Sequence, residues 1–540
     1  NMIVRTPFYC LNAQKDNAGE THLVDLTGTI PSVAKQAADR FPDASALEED
    51  GVSLTFAELY QAARAVAKAF LAHGLAKGDR FAVWSPNARE WELAALGGQM
   101  AGGVLVPINT RFKGTEAGDI VRRSGARLLF TARGFLGFDY PAMLADEDLP
   151  ALERTVLLRG EGGEPFGEFV ASGSDISDDA LEARLAEIGP DDVSDIIFTS
   201  GTTGRPKGAM TAHGQNIAAV RAWCAAVGVD ETDRYLIVNP FFHSFGYKAG
   251  WLACLITGAC ALPHAVFDVD QILKRIADDR ISVLPGPPTI FQSLIHHPAL
   301  GDADISNLKK TVTGAASVPV ELVRQMKDVL GFESVLTAYG LTESCGFVSL
   351  TDASDDFETI ATTSGKPMAG VEVKLIDADG AKVEPGTPGE ICVRGFNVMK
   401  GYLDDPAATA EAIDGEGWLH TGDIGIQNRQ GYLAITDRAK DMFITGGFNC
   451  YPAEIENALL RHDKVADAAV IGAPDERMGE VGHAFVVPRP GESLTGDELI
   501  GWARGQMANY KVPRFVTVMT DLPRNASGKV QKFKLRQLGE

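Results

Sequence analysis

The 540-residue sequence predicts an α/β fold with a large N-terminal domain of helix-covered sheets, a small β-barrel-like subdomain and a small α+β C-terminal domain. Helical and strand patterns alternate through the first part of the chain, which is typical of parallel sheets covered by helices. From about Val371, two segments alternate apolar and polar residues with a period of two, as antiparallel strands do. After Asp437, about one hundred residues mix both patterns, which is a usual size for a small domain.

These changes of pattern define the predicted domains. Residues 1–437 form the N-terminal domain, with the β-rich subdomain at about 371–437, and residues 438–540 form the C-terminal domain. The charged segment DRAKD, at 437–441, marks the boundary between them.

One helix of the N-terminal domain has clear signals at both ends. Thr55 and Glu58 form a capping box before it, and Gly74 ends it. Another helix starts at about Asn87, between the first two of a series of short apolar segments. These segments are predicted strands at Phe81–Trp84, Val104–Val106, Leu128–Thr131, Ile196–Thr199, Tyr235–Val238, Ser282–Leu284, Thr311–Thr313 and Ser334–Thr337.

The later elements follow the same reasoning. VEVKLID and GEICVRG are predicted antiparallel strands, and the last domain reads helix PAEIENALL, strands AAVIGAP and HAFVVP, helix TGDELIGWARGQM and strand FVTVM. The uncharged segment 249–267 is barely long enough to span a bilayer. Because Gly258, Pro263 and His264 interrupt it, we expect a buried helix followed by a strand.

Charge and cysteine content exclude several classes of protein. The chain has 50 basic and 72 acidic residues, a net charge of −22, so its overall field does not favour nucleic acid or anionic membranes. Its seven cysteines are odd in number and form no CxxC, which argues against a disulfide framework or a zinc site. With no signal-peptide pattern at the start, this composition predicts a cytoplasmic protein.

The segment TSGTTGRPKG, from Thr199 to Gly208, predicts a phosphate-binding loop. Glycines after a buried strand expose backbone N–H groups, and hydroxyl and cationic side chains add donors and charge. A P-loop requires Ser or Thr after the lysine, but Gly208 follows Lys207. Composition alone therefore favours a phosphate loop of another kind over a plain surface turn.

Seven motifs in the same order resemble the adenylate-forming superfamily, in its acyl-CoA synthetase or fatty-acid–CoA ligase branch. The resemblance spans nearly the whole chain. The motifs are TSGTTGRPKG at 199–208, NPFFHSFG at 239–246, TGAAS at 313–317, AYGLTE at 338–343, WLHTGD at 418–423, DRAKDMFITGGFNCYPAEIE at 437–456 and PRNASGK at 523–529.

The resemblance implies a two-step reaction. A carboxylate attacks ATP to give an acyl-adenylate and pyrophosphate, and the thiol of coenzyme A then displaces AMP. It implies that Thr342 binds the α-phosphate, that Glu343 holds Mg²⁺, and that the loop after the strand holds the β- and γ-phosphates. The loop residues are Thr199, Ser200, Gly201, Thr202, Thr203, Gly204 and Lys207.

The resemblance also assigns the nucleoside site. Tyr339 is expected beside the adenine, Asp423 should accept hydrogen bonds from both ribose hydroxyls, and Arg438 should help to hold the ribose. The remaining adenosine-binding residues are Gly314, Ala315, Ala316 and Gly340.

Three residues near or in the C-terminal domain complete the implied machinery. Lys529 is expected to bridge the carboxylate and the α-phosphate, Lys440 to act as the hinge of a domain rotation, and Gly447 to line the pantetheine tunnel afterwards. The sequence around Lys529 also resembles sites that protein acetyltransferases modify, so acetylation of Lys529 is a regulatory hypothesis.

The nature of the acid depends on NPFFHSFG and its neighbours. His243 resembles the histidine that borders the carboxylate in acyl- and aryl-CoA synthetases, and Lys248 is expected to pack its stem while its charge reaches water. A roomy pocket would suit a medium-chain, long-chain or ring-bearing acid. The segment HSFGYKAG also faintly resembles ligases of steroid-ring propanoates. The predicted pocket residues are Phe245, Gly246, Ala249, Gly314, Ala338 and Gly346.

Three alternatives stay open from the sequence. The acyl group could pass to a carrier-protein thiol, the chain could be a nucleotide-binding protein without catalysis, or it could oxygenate an adenylate as luciferases do. The expected partner is a small carboxylic acid, with no nucleic acid and no integral membrane segment, and a homodimer is a further hypothesis.

Overall fold

The computed structural model describes residues 12–15, 21–24, 26–199, 205–314, 318–377, 379–438, 443–450, 452–523, 530 and 532–539. Its strands, in chain order, are β1 Asn12–Lys15, β2 Thr21–Val24, β3 Ser45–Glu49, β4 Val52–Thr55, β5 Arg80–Trp84, β6 Val104–Pro107, β7 Leu128–Ala132, β8 Arg154–Arg159, β9 Glu164–Pro165, β10 Val193–Thr199, β11 Lys207–Ala212, β12 Arg234–Ile237, β13 Cys260–Pro263, β14 Lys310–Gly314, β15 Ser334–Tyr339, β16 Ser349–Leu350, β17 Lys366–Pro367, β18 Val371–Ile376, β19 Gly389–Gly395, β20 Gly401–Tyr402, β21 Leu419–Gln427, β22 Leu433–Arg438, β23 Phe443–Thr445, β24 Phe448–Cys450, β25 Val465–Asp475, β26 Gly479–Pro488 and β27 Phe515–Val518.

The α-helices cover the sheets. A π-helical turn at Tyr247–Leu252 and 3₁₀ turns at 135–137, 298–302 and 342–344 accompany them. The helices are α1 Ile30–Arg40, α2 Phe56–Ala72, α3 Arg89–Met100, α4 Gly114–Ser124, α5 Tyr140–Met143, α6 Phe166–Ala171, α7 Asp178–Glu187, α8 His213–Val227, α9 Ser244–Gly246, α10 Ala253–Thr257, α11 Val269–Asp278, α12 Pro288–Ile295, α13 Val320–Asp328, α14 Phe357–Thr362, α15 Pro406–Ala412, α16 Pro452–Leu459, α17 Gly496–Gln506 and α18 Lys532–Gly539.

Two large sheets form the N-terminal domain. One has eight strands in the order β20-β11-β10-β6-β5-β7-β8-β9, and its strands from β10 to β9 are parallel. The other joins β4-β3-β13-β12 to β14-β15-β16-β17 through Val283, which bridges both Tyr235 and Lys310. The predicted strand at 282–284 is therefore a single bridging residue. The predicted helix-covered parallel sheets are confirmed.

Local signals in the sequence set several element boundaries. Thr55 and Glu58 form the predicted capping box, each side chain accepting from the other's backbone N–H, at 2.9 and 3.2 Å. Gly74 follows α2 with a φ of +70°, a left-handed conformation that glycine adopts freely. The uncharged segment from 249 begins in the π-helical turn and continues as α10 and β13, as expected. Among the described residues, no helix is both long and apolar enough to cross a bilayer.

The remaining sheets follow the predicted change of pattern. The β-rich subdomain is an antiparallel sheet in the order β18-β19-β21-β22. In the C-terminal domain β25 and β26 form a long antiparallel pair, β27 lies parallel to β26, and α16, α17 and α18 pack nearby. The six described cysteines are all free and buried.

Helix α3 lies inside the core and carries an acidic residue there. Every residue from Trp91 to Met100 is buried, and Glu92 is 1% exposed. Oε2 of Glu92 has no hydrogen-bond partner. Burial, followed by the nearby charge of Glu49, raises the pKa of Glu92 to about 8.

Glu92 is expected to make the stability of the protein fall as pH rises. Its folded pKa exceeds its unfolded value of about 4.3, so its contribution is most favourable below that value and is lost as pH rises towards about 8. The free energy of unfolding lost in this way is on the order of 5 kcal/mol. Glu92→Gln should therefore raise the thermal midpoint at pH 9 and change it little at pH 4.

Glu90 on the same helix provides a matched control. Burial alone would raise its pKa, but Arg159, with Arg89 and a backbone hydrogen bond, lowers it. Glu90→Gln should therefore destabilise the protein at neutral pH, the opposite sign to Glu92→Gln. Equal thermal midpoints of Glu92→Gln and the wild type across this pH range would contradict a buried, neutral Glu92.

Candidate active site

The site is built where parallel strands β14 and β15 end. Gly314 and Ala338 are register partners at these carboxyl ends, the usual place for ligands in parallel sheets. Beyond β15 the chain turns back on itself so closely that a Cβ added at Gly340 would lie 2.1 Å from the carbonyl oxygen of Gly346. Glycine is thus required at 340, and the turn brings Thr342 and Glu343 beside β11.

Glu343 is fixed between the phosphate-loop hairpin and β20. Thr199 Oγ1 donates to Glu343 Oε1 at 3.1 Å, and Tyr402 OH donates to the same oxygen at 2.9 Å. The carboxylate is half-buried, and its backbone carbonyl accepts from Met399 N at 2.8 Å. Because both hydroxyls donate to Oε1, the second carboxylate oxygen remains an acceptor for a cation, which fits the hard oxygen ligands that Mg²⁺ prefers.

The phosphate loop connects two antiparallel strands. Thr199, the last residue of β10, is the register partner of Lys207, the first of β11. The Lys207 ammonium lies 5.1 Å from the centroid of the Tyr402 ring, close to the hydroxyl that contacts Glu343. Tyr402 therefore lies near both a positive charge and a carboxylate able to hold a cation, beside the predicted loop.

Tyr339 and Asp423 form the second polar pair of the site. Tyr339 OH donates to Asp423 Oδ2 at 2.7 Å, and both residues are buried. Asp423 lies on β21, where its register partner is Arg438 on β22. The pair joins the large domain to the β-rich subdomain and presents an aromatic ring next to a carboxylate, which suits a nucleoside.

His243 caps the short helix α9, with Nδ1 accepting from Phe245 N at 3.2 Å. His243 is an exposed residue, yet desolvation of its ring by the surrounding protein atoms, followed by the charge of Lys248, lowers the pKa of the imidazole. The imidazole is therefore neutral at pH 7. The neighbouring residue, Ser244, packs against Gly346: a Cβ added at Gly346 would lie 3.1 Å from Ser244 Cβ.

Lys248 corrects a prediction from the sequence. Its side chain is fully buried and does not reach water, because its ammonium lies 3.3 Å from Asp195 Oδ1 and 3.0 Å from Thr211 Oγ1. Asn216 donates to Asp195 Oδ2 at 2.6 Å, and Ser194 donates to the same oxygen at 2.8 Å. A charge in the interior persists when it is paired and hydrogen-bonded, as Lys248 is here.

The predicted acyl-pocket residues fall into two groups. Phe245, Ala338 and Gly346 are partly accessible at the site. Ala249 has no accessible surface and packs in the core, while a Cβ at Gly246 would lie 2.2 Å from the carbonyl oxygen of Pro240. In this structure Ala249 and Gly246 are therefore buried against other parts of the protein, and the prediction that they line the acyl pocket is wrong.

The C-terminal domain contacts the N-terminal domain near this site. A Cβ added at Gly447, whose φ is +85°, would lie 3.6 Å from Pro287 Cγ. Elsewhere in the interface Lys511 is buried between Glu116 and Glu454, with Nζ to oxygen distances of 2.8 and 2.5 Å. The glycine turn at 446–447 thus faces the large domain.

Several predicted residues lie outside the described parts of the chain. For Arg438 the structure describes the backbone only, and the roles predicted for the others stay predictions. These others are Ser200, Gly201, Thr202, Thr203, Gly204, Ala315, Ala316, Lys440 and Lys529.

The sequence reasoning missed two contributors to the site. Tyr402 follows the glycine that starts β20, and its hydroxyl contacts Glu343 across the sheet. Asp195 lies four residues before the phosphate loop and pairs with Lys248. The sequence did offer a signal for Asp195, because this charged residue directly precedes the apolar residues that lead into the loop.

Comparisons with known proteins agree with this geometry. The family model described as AMP-binding enzyme matches residues 34–403, and the model for the AMP-binding enzyme C-terminal domain matches residues 454–529. The chain belongs to the AMP-binding enzyme family. The adenylate-forming superfamily predicted from the motifs is thereby confirmed.

Relatives of this AMP-binding enzyme support the acyl-CoA ligase branch. A Rhodococcus jostii protein named 3-[(3aS,4S,7aS)-7a-methyl-1,5-dioxo-octahydro-1H-inden-4-yl]propanoyl:CoA ligase is 49% identical over 94% of this chain and 98% of its own. A Mycobacterium tuberculosis protein of the same name is 51% identical over 95% of this chain and 99% of its own.

Solved structures of one relative resemble this enzyme to different extents. The o-succinylbenzoate CoA synthetase of Bacillus subtilis, as a double mutant bound to a product analogue, OSB-NCoA, matches with a TM-score of 0.78. In complex with the acyl-adenylate intermediate, OSB-AMP, it matches with a TM-score of 0.64. Both are 28% identical and cover 94% of this chain and 98% of theirs.

Proposed function

We propose that this protein is an ATP-dependent, AMP-forming acyl-CoA synthetase whose acid is a propanoate attached to a fused ring system. The observation that carries the reaction is Glu343, held by Thr199 and Tyr402 between the phosphate loop and β20. The observation that carries the substrate is about 50% identity, along nearly the whole chain, to two ligases named for such a propanoate.

In the first half-reaction the protein must bring two anions together, because both the carboxylate and the ATP phosphates are negatively charged. Lys207 and Thr342 would contact phosphate oxygens, and Glu343 would hold Mg²⁺. Bound Mg²⁺ supplies neutralisation of phosphate charge. Tyr339 and Asp423 would orient the adenosine, and the small residues Ala338 and Gly346 would leave room for rings at the acyl site.

Neutral His243 would border the acyl carboxylate, as the motif implies. A neutral imidazole there can accept or donate a hydrogen bond without adding charge to the acyl site. Since His243 shares its short segment with Ser244 and Phe245, its position depends on the packing of that segment against Gly346. Lys529 would bridge the reacting groups, as the motif implies.

The domain arrangement supports the second half-reaction. The relative with a CoA product analogue matches better than the same relative with an acyl-adenylate, 0.78 against 0.64. Gly447 faces Pro287 of the large domain, where a side chain would narrow the space for a pantetheine arm. We therefore assign this arrangement to thioester formation, with a hinge at Lys440 and domains at 1–437 and 438–540.

A cytoplasmic location fits the buried, free cysteines among the described residues.

A panel of acids tests the substrate. AMP and pyrophosphate release should be measured with ATP, Mg²⁺ and coenzyme A on acetate, octanoate, palmitate, benzoate, cinnamate and a bicyclic diketone propanoate. We expect the bicyclic acid to have a kcat/KM at least about tenfold above palmitate, because rings fill a site that a chain fills poorly. A preference for palmitate would overturn the ring-bearing acid and leave the ligase activity in place.

Coenzyme A dependence tests the reaction itself. Release of AMP should require coenzyme A or be strongly accelerated by it, with an acyl-CoA product. Turnover that needs a carrier protein in place of coenzyme A would favour the carrier-protein alternative. Absence of adenylate formation with every acid, while ATP still binds, would favour a non-catalytic nucleotide-binding protein.

A further inference from the structure

A cluster of metal-ligand side chains lies on one face of the β-rich subdomain. Cys392 on β19 is the register partner of His420 on β21, so their side chains share a face of the antiparallel pair. Glu390 lies two residues before Cys392 and returns to the same face. A register shift between Glu390 and Cys392 bends the strand at this point.

Two of the distances within the cluster are close to those between the ligands of a tetrahedral zinc ion. Cys392 Sγ lies 3.7 Å from His420 Nδ1, and His420 Nδ1 lies 3.2 Å from Glu390 Oε2. Ligand atoms of the three residues all lie within 4.8 Å of one another. Zinc bonds of about 2.3 Å to sulfur and about 2.0 to 2.1 Å to nitrogen and oxygen place tetrahedral ligands about 3.3 to 3.6 Å apart.

A neutral imidazole cannot satisfy both neighbours of its Nδ1 atom. His420 Nδ1 faces both the Cys392 sulfur and the Glu390 carboxylate, and one ring nitrogen carries either a proton or a lone pair. A proton on Nδ1 satisfies Glu390 but leaves the thiol without an acceptor there. A lone pair on Nδ1 accepts from the thiol but repels the carboxylate. A metal ion satisfies all three.

The other nitrogen of His420 has the partner that metal-bound histidines use. Asp414 Oδ2 lies 3.6 Å from His420 Nε2, while Asp414 Oδ1 accepts from the backbone N–H groups of Glu416 and Trp418 at 2.9 Å. This turn fixes the aspartate beside the ring. A carboxylate on the second nitrogen orients a ligating histidine and makes it a better donor.

We propose that Glu390, Cys392 and His420 bind Zn²⁺ or a similar divalent transition-metal ion, with Asp414 positioning His420. The side chains of His420 and Glu390 are 30% and 29% exposed, so an ion can enter from solvent, and the Cys392 thiol releases its proton to water on binding. A thiolate and an imidazole select zinc-class ions over Mg²⁺. The site is therefore distinct from Glu343.

The cysteine spacing predicted no zinc site, and the structure shows why a search for cysteine pairs does not find these three ligands. The ligands are of three chemical types and come from two strands, so no CxxC pattern marks them. The site also lies next to the nucleoside pair, because Glu390 Oε1 accepts from Gly422 N at 3.1 Å and Asp423 follows Gly422.

Cobalt substitution of the full chain tests the proposal. Metal-stripped protein, without ATP, should bind one Co²⁺ and show a thiolate-to-cobalt charge-transfer absorption, which an oxygen-only site for Mg²⁺ cannot give. Zn²⁺ should abolish this absorption by displacement. Cys392→Ser and His420→Gln should remove the absorption, and Asp414→Asn should weaken Co²⁺ binding about 10 to 100-fold.

Glu372→Gln on the neighbouring strand β18 is the matched control, since Glu372 pairs with Arg394 outside the cluster. It should leave the absorption and the affinity unchanged. If Cys392→Ser fails to fold, His420→Gln and Asp414→Asn carry the test. No charge-transfer absorption in the wild type, or one that survives His420→Gln, would overturn the site and favour a protonated imidazole between the acidic groups.

Discussion

Lys248→Met is expected to lower the free energy of unfolding of the N-terminal domain by about 3 to 5 kcal/mol. Lys248 and Asp195 are both fully buried, with Nζ 3.3 Å from Oδ1. Methionine fills a similar volume, so the packing loss is small, but the Asp195 carboxylate is left charged and uncompensated in the interior. The cost is that of desolvating an unpaired charge.

A second variant separates the charge from the packing. Asp195→Asn combined with Lys248→Met removes both charges while Asn216 and Thr211 still provide hydrogen-bond partners. The double variant should recover most of the stability that Lys248→Met loses, as measured by the calorimetric transition of the N-terminal domain. If the double variant instead lost more stability than Lys248→Met, so that the two changes added up, the unpaired charge would not be the main cause.

An exposed ion pair serves as the control for the buried one. Lys274 and Asp278 form a solvent-exposed pair one turn apart on α11, and exposed pairs contribute about 0 to 1 kcal/mol. Lys274→Met should therefore leave the thermal midpoint almost unchanged. A fall as large as that of Lys248→Met would mean that loss of net positive charge, and not the buried pair, sets the effect.

The buried pair also connects two parts of the site. Asp195 lies on β10, which ends at Thr199, and Thr211 lies on β11, which begins at Lys207. Lys248 lies in the π-helical turn just after His243, and such turns often occur at functional sites. The pair therefore fixes the phosphate-loop hairpin relative to the segment that carries His243.

The fold was predictable where local sequence signals act alone. The capping box of Thr55 and Glu58, the left-handed Gly74, and the period-two alternation of β18 and β19 depend on neighbouring residues, and each appears as predicted. The motif around Glu343 was also recognisable, because several residue types at fixed spacing are needed for phosphate and metal chemistry.

Tertiary pairing explains what the sequence did not reveal. Lys248 resembles a surface lysine with an apolar stem until Asp195 and Thr211 are placed beside it by β10 and β11. Tyr402 follows a glycine in a two-residue strand, and only the pairing of β20 with β11 brings its hydroxyl to Glu343. A local pattern contains no information on such partners.

Glu343→Gln is expected to slow adenylate formation by about 10²- to 10³-fold, the usual cost of removing one preorganised electrostatic group. Glutamine keeps the shape and can still accept from Thr199 and Tyr402, but it lacks the charge that would hold Mg²⁺ against the phosphates. Pyrophosphate–ATP exchange measures this step. Glu358→Gln, on an exposed carboxylate of α14, should leave the exchange rate unchanged.

The two half-reactions should respond differently to this change. Thioester formation from a supplied acyl-adenylate and coenzyme A has no pyrophosphate to neutralise, so Glu343→Gln should change its rate little. Tyr402→Phe removes one hydroxyl donor to Glu343 and keeps the ring beside Lys207. It should raise the Mg²⁺ concentration needed for half-maximal exchange by about tenfold. Equal losses in both half-reactions would indicate that Glu343 maintains the structure of the site, because a residue that serves only to hold Mg²⁺ against the phosphates affects adenylation alone.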